Sequence, residues 1–182
     1  ESYVQGIWHV PFRSEEVLPK AKAAGLEALR LDGSLAEAHT AMANVYSLEW
    51  NWSESEKEIG QAIEINPNYA RAHHVHAFIS LIAGRNVHAI ESIERARQLD
   101  PLNLVINTDK ANILFHVKMN DDAFRQWDKT LELDPNFIMA RVQRAVAYTV
   151  LGDFPAAIDE NAKVMELAGE KKERIAAYRS YA

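Results

Sequence analysis

Arg71 to Pro101 reads RAHHVHAFISLIAGRNVHAIESIERARQLDP, two amphipathic stretches broken at Gly84-Arg85-Asn86 and stopped at Asp100-Pro101. Nearly the same unit recurs 34 residues earlier and 34 residues later. Pro67, Pro101 and Pro135 mark the interval, and Gly33 and Gly169 hold its phase at the two ends. A branched aliphatic stands two residues before each of them: Leu31, Ile65, Leu99, Leu133 and Leu167. A single such unit cannot bury its own apolar face, so a fixed period of this length predicts helical pairs stacked into a solenoid.

Composition narrows the function. The 182 residues are 48% hydrophobic and 25% charged, the balance of a folded soluble chain. A net charge of -6 disfavours a phosphate-binding surface, because nucleic-acid affinity rests on Lys and Arg. The longest basic run, Lys171-Lys172, is flanked by Glu170 and Glu173. Without cysteine there is no disulfide, thiolate metal site or Cys nucleophile. No apolar run approaches the roughly 18 residues of a membrane span, and no signal peptide is visible. The chain starts at Glu1 rather than Met, which reads as a segment of a longer protein.

With residues 36, 70, 104 and 138 as position one, position eight is Ala43, Ala77, Ala111 and Ala145. Position twenty is Ala21, Ser55, Ala89, Ala123 and Ala157; position twenty-seven is Ala28, Ala62, Ala96, Thr130 and Val164. Small residues at these places let two helix axes approach. Ile59, Ile93 and Trp127 at position twenty-four fill the space between.

This pattern resembles the tetratricopeptide repeat (TPR), a 34-residue helix–turn–helix with small residues at eight, twenty and twenty-seven and Pro at thirty-two. The resemblance covers almost the whole chain and implies an all-α, right-handed superhelical solenoid. Residues 1–34 read as a partial N-terminal repeat, and residues 35–169 as four repeats (about 36–69, 70–103, 104–137 and 138–169). Residues 170–182 read as a terminal capping helix or the start of a further repeat. The usual Trp at position four is replaced by His39, His73, Asn107 and Arg141, position seven reads Met42, His76, Lys110 and Arg144, and Ser80 and Leu114 lack the aromatic of position eleven, departures that predict looser packing in units two to four.

Local chemistry sets the expected boundaries. First helices are predicted at about 35–49, 68–83, 102–117 and 136–151, second helices at about 18–31, 53–65, 87–99, 121–133 and 155–167. Pro19 and Pro155 should open second helices, where a missing N–H costs nothing. Ser53 and Asp121 should cap others. Pro11 should cut short the first helix of the partial repeat, and Glu170–Tyr181 should be helical.

A narrower resemblance lies in Trp50-Asn51-Trp52 followed by Asn66-Pro67-Asn68-Tyr69. It is similar to the C-terminal repeat arrays of bacterial signalling proteins: membrane-anchored winged-helix regulators, kinases and adenylate cyclases. That implies a sensory or docking region, cytoplasmic or periplasmic with its parent.

At about 100° per residue, positions four, seven, eight and eleven of a first helix share one stripe. Positions two, five, nine and twelve share another. In the proteins this chain resembles, the second stripe lines a concave peptide groove. Carried over, the groove is Glu37, Thr40, Asn44 and Ser47; then Arg71, His74, Phe78 and Leu81. It continues with Val105, Thr108, Asn112 and Phe115; then Met139, Val142, Val146 and Thr149. Position thirteen adds Leu48, Ile82, His116 and Val150. A solvated stripe would be charged, yet its last two units are largely apolar. Either neighbouring helices cover it, or it is a seat for a partner helix or extended segment. Val75, Val105 and Asp109 stand where relatives that clamp a terminal carboxylate need Asn and basic residues, so that ligand is not expected.

Chemistry has few footholds. His39, His73 and His76 suggest a metal, and through it a remote hydrolase reading, but a zinc site wants three or four ligands and none completes the set. Glu54, Glu56 and Glu58 spread around a helix, and no glycine-rich phosphate loop occurs. Trp50 and Trp52 either anchor a partner or cover the inter-helix corner. The expectation is a non-catalytic protein- or peptide-recognition scaffold with no cofactor, no nucleic acid and no membrane insertion through this segment. A structural spacer or self-association module is the alternative.

Overall fold

The computed structural model describes residues 14–180. Among these are ten α-helices and no strand: α1 (Ser14–Leu31), α2 (Ala36–Leu48), α3 (Trp52–Ile65), α4 (Ala70–Ile82) and α5 (Asn86–Leu99), then α6 (Leu104–His116), α7 (Asn120–Leu133), α8 (Ile138–Leu151), α9 (Phe154–Leu167) and α10 (Lys172–Arg179). The expectations for residues 1–13 lie outside the described residues. The chain divides into two compact units, Glu1–Ile79 and Ser80–Ala182, with the division inside α4.

In the first unit, α1 lies on α2 and α2 on α3. Ala36, Ala43, Ile59, Ala62, Ala72, Val75 and Ile79 form its core, with Ile63 and Tyr69 at the margin. Gly25 stands where the three following repeats carry Ile59, Ile93 and Trp127, and a Cβ there would meet Met42 Sδ at 2.5 Å. The glycine makes room for Met42, so the bulk at this contact comes from the partner helix. Lys22 Nζ bonds Glu49 Oε2 at 2.7 Å, tying α1 to the end of α2. That hydrogen bond is the main cause raising the Lys22 pKa.

In the second unit, α6 pairs with α7 and α8 with α9, while α5 packs on α6, α8 on α6 and α7, and α10 on α9. The core gathers Ala111, Leu114, Ala123, Trp127, Leu131, Ala140 and Ala147. Phe124 stands edge-on to Trp127 at 5.4 Å and lies tilted against Tyr148 at 4.6 Å. Positions eight and twenty are buried in every repeat except at Ala21 of α1, which is exposed.

Helix boundaries depart from expectation where local chemistry differs from the periodic reading. Helix α1 begins at Ser14, so Pro19 sits inside it and does not open it. Helix α3 is capped by Asn51, whose side chain accepts from the Glu54 N–H; Ser53 is already helical. Asp121 likewise lies in the first turn of α7, whose N-cap is Met119. Asp153 caps α9, with Pro155 in the first turn as expected. The C-terminal helix is shorter than predicted, Lys172–Arg179.

The residue that closes each first helix is left-handed: Trp50, Gly84, Lys118 and Gly152, with φ of 60°, 73°, 68° and 83°. Glycine adopts this at no steric cost, whereas Trp and Lys are strained there.

Position four overturns the expectation of looseness. In each repeat its side chain reaches the carbonyl oxygen of the turn residue six positions earlier. His39 Nε2 lies 3.1 Å from Gly33 O, and His73 Nε2 2.9 Å from Pro67 O. Asn107 Nδ2 donates to Pro101 O at 2.9 Å, and Arg141 Nε to Pro135 O at 3.0 Å. Three of the four also meet a polar partner nineteen residues on: Glu58 at 2.6 Å from His39, Gln126 at 3.0 Å from Asn107, and Glu160 at 3.1 Å from Arg141. A polar latch thus replaces the aromatic ring and ties the first turn of each first helix back to the turn that precedes it.

Candidate interaction face

The expected groove residues divide by burial. In the first unit Thr40 is buried, its Oγ1 donating to Ala36 O at 2.8 Å within its own helix. His74 is buried as well, with its ring edge-on to Phe78 at 5.5 Å. Asn44 and Phe78 are half-buried, and Leu48 and Arg71 are exposed. In the second unit Ile82 is exposed, while Phe115 and Met139 are half-buried. Thr108 is 0% and Asn112 7% exposed, whereas Val142 is 40% and Val146 50% exposed.

Two corrections follow. Thr40, His74, Thr108 and Asn112 are packing residues and do not line an open surface. For α6 the reason is direct, because α8 lies against it. A buried threonine is tolerated there because its hydroxyl bonds back to its own helix, Thr108 Oγ1 to Leu104 O at 2.7 Å. Second, a groove position implies few neighbours for Phe115, yet it packs on the second core and tilts against Trp127 at 6.0 Å. Its ring is partly structural.

What remains open is clearest on α8. Every exposed residue of this helix is uncharged: Ile138, Val142, Val146, Thr149, Val150 and Leu151. Its charged residues are turned the other way. Arg141 and Arg144 both reach Glu160 on α9, and Arg144 also pairs with Asp128 on α7. One face of α8 is therefore ionic and internal, and the other apolar and solvent-facing.

A separate cleft of about 270 Å³ lies between α5, α6 and α7, lined among others by Ile90, Glu94, Lys110, Met119 and Lys129. Its charges are largely spoken for: Glu94 meets Lys110 Nζ at 2.6 Å and Arg97 at 2.6 Å. Chiefly through the Arg97 hydrogen bond, against the opposing effect of burial and with help from Lys110, the Glu94 pKa is held down to about 2. The arrangement is that of a structural ion cluster.

His39 and His73 are engaged in hydrogen bonds within the fold. Both ring nitrogens of His39 are occupied, by Glu58 and Gly33, and one of His73 by Pro67. Trp50 and Trp52 stand edge to face at 5.6 Å at the first hairpin corner, and Trp50 is 69% exposed. Sequence reasoning missed the position-four latch. Its only trace was the recurrence of a hydrogen-bond donor where an aromatic was expected.

Comparison with known proteins places the fold. No family model matches the chain. It is 25% identical over 144 residues to anaphase-promoting complex subunit 3 of Schizosaccharomyces pombe, covering 79% of this chain and 22% of that protein. The chain thus spans about a fifth of the length of that curated relative. Among solved structures it is similar to TTC0263, a thermophilic TPR protein of Thermus thermophilus, with a TM-score of 0.74 and 17% identity over 90% of this chain and 91% of that one. It is similar also to MamA (TM-score 0.66, 18% identity, 86% of this chain and 92% of that one). A third is YrrB, described as a TPR protein with an unusual peptide-binding site (TM-score 0.62, 20% identity, 93% and 86%). The fold is the TPR solenoid. No helix among the described residues is long and apolar enough to cross a membrane.

Proposed function

We propose that this chain is a non-catalytic scaffold that recognises a protein or peptide segment on the open faces of the first helices within each unit. The observation that carries the reading is α8, where Ile138, Val142, Val146 and Val150 form an exposed, uncharged ridge. Contiguous apolar surface on a folded chain is where partners bind, whereas isolated apolar residues need no such account. In the first unit the accessible candidates are Asn44, Leu48, Arg71 and Phe78, a mixed polar and aromatic set suited to an extended segment. In the second unit they are Ile82, Phe115, Met139, Val142 and Val146.

Similarity to a subunit of a complex and to a TPR protein with an unusual peptide-binding site supports the scaffold reading. The Trp50-Asn51-Trp52 loop supports its place as a docking or sensory region of a larger bacterial signalling protein. The test is selection from a displayed library of short random peptides. Enriched peptides should bind wild type and lose at least about tenfold in affinity on Val146→Glu, since one buried aliphatic is worth roughly 1.5–3 kcal/mol. The melting temperature should not change. A library that yields no binder would sink the reading.

A further inference from the structure

Helix α8 offers a seat that the same fold fills one repeat earlier. Positions one, five, nine and thirteen of α6 are Leu104, Thr108, Asn112 and His116, all buried or half-buried, with α8 packed on that helix. On α8 they are Ile138, Val142, Val146 and Val150, exposed by 42%, 40%, 50% and 41%. Lys172, 34 residues after Ile138, begins α10, but α10 packs on α9 and does not lie along α8 as α8 lies along α6. The ridge runs about 18 Å at 1.5 Å per residue. Leu151 and Phe154 extend it at the hairpin corner, both at least half exposed.

We propose that this ridge is the contact between two copies of the chain, α8 crossing α8 about a two-fold axis; the proposal rests on the reading of this face as an interaction surface and names its occupant. Two features select a second copy, and a third sets how tightly it binds. A ridge with four-residue spacing is self-complementary, because i±4 ridges of two helices interdigitate at about -50°. The dyad then falls between Val142 and Val146, and Val142 of one copy meets Val146 of the other. The chain carries a net charge of -6, so two copies repel on approach, yet no exposed residue of α8 is charged. This face brings two acidic chains together without opposing like charges. Finally, the exposed apolar area is on the order of 500 Å² per copy, less than the ~800 Å² per partner of a stable complex. The dimer is therefore transient and concentration-dependent, and the contact is isologous, as in most homodimers.

Sedimentation of the purified chain from micromolar to near-millimolar concentration should show a monomer–dimer equilibrium. Val146→Glu should raise its dissociation constant at least tenfold with the helical signal unchanged. As the chain has no cysteine, single substitutions give an independent readout that does not depend on introducing a charge. An oxidised mixture of Val142→Cys and Val146→Cys chains should form a covalent dimer across the facing pair, and Lys57→Cys on the exposed side of α3 should not. A chain that stays monomeric throughout, or a dimer that survives Val146→Glu and leaves the mixture of Val142→Cys and Val146→Cys uncross-linked, overturns the proposal. Peptide selection separates the two ideas: a monomer that still captures peptides through Val146 defeats the dimer alone, whereas a monomer that captures none defeats both.

Discussion

Helices α6 and α8 occupy the same place in successive repeats, yet hydropathy and burial run opposite ways. The covered helix carries Thr108 and Asn112 at positions five and nine, and the open one carries Val142 and Val146. A residue's place within the repeat fixes its direction. Its burial depends on whether another helix follows alongside. Thr108 survives burial because its hydroxyl returns to Leu104 O. Val142 gains nothing from water and is stabilised only when something covers it.

The sharpest way to break this comparison is to place the same charge on both helices. Thr108→Asp buries a carboxylate with no partner and should cost roughly 3–5 kcal/mol. Val142→Asp puts it in solvent and should stay within about 0.5 kcal/mol of wild type. Urea unfolding of the pair decides it: equal losses would mean that α8 is covered as α6 is. A smaller contrast lies in the latches of the same two helices. Asn107→Ala leaves Pro101 O and Gln126 without their partner and should cost about 1–3 kcal/mol. Arg141→Ala should cost less, because Arg144 still holds Glu160. Thermal melts giving the reverse order would remove the latch from the account.

The smallest effect concerns pH. The Glu94 carboxyl has a folded pKa of about 2, below the ~4.3 of an unfolded glutamate. Because the folded value is the lower one, its contribution is complete above the unfolded pKa and is lost as pH falls through that interval toward 2. Unfolding midpoints followed across this window should fall less steeply in Glu94→Gln than in wild type. Identical slopes would show that Arg97 and Lys110 do not hold the carboxylate.

Much of the fold was legible because its determinants are local and periodic. Small residues at positions eight, twenty and twenty-seven, with a turn proline or glycine at thirty-two, give the helices and their pairing. Boundaries slipped where a neighbouring side chain competed for the same role, as Asn51 did with Ser53. The candidate face was legible only in direction. Helical periodicity placed Thr40, His74, Thr108 and Asn112 on the stripe with Val142 and Val146, but says nothing about what lies over each. Phe115 looked like a ligand anchor because its contact with Trp127 joins residues on different helices. The donors at position four looked like losses of packing, since the carbonyls that receive them belong to turns whose path a sequence does not display.

Those latches have a consequence for how the chain finds its fold. Arrays of near-identical repeats are prone to exchange one unit for another during folding, because every hairpin offers much the same surface. Here the pairing residues differ from repeat to repeat: His39 with Glu58, Asn107 with Gln126, Arg141 with Glu160. A hairpin assembled from the wrong halves would set Arg141 against Gln126, or Asn107 against Glu160, and leave a desolvated charge without its counterpart. Three of the four repeats thus carry a key cut for their own second helix. The period that makes the repeats alike is offset by a polar code that keeps them in order.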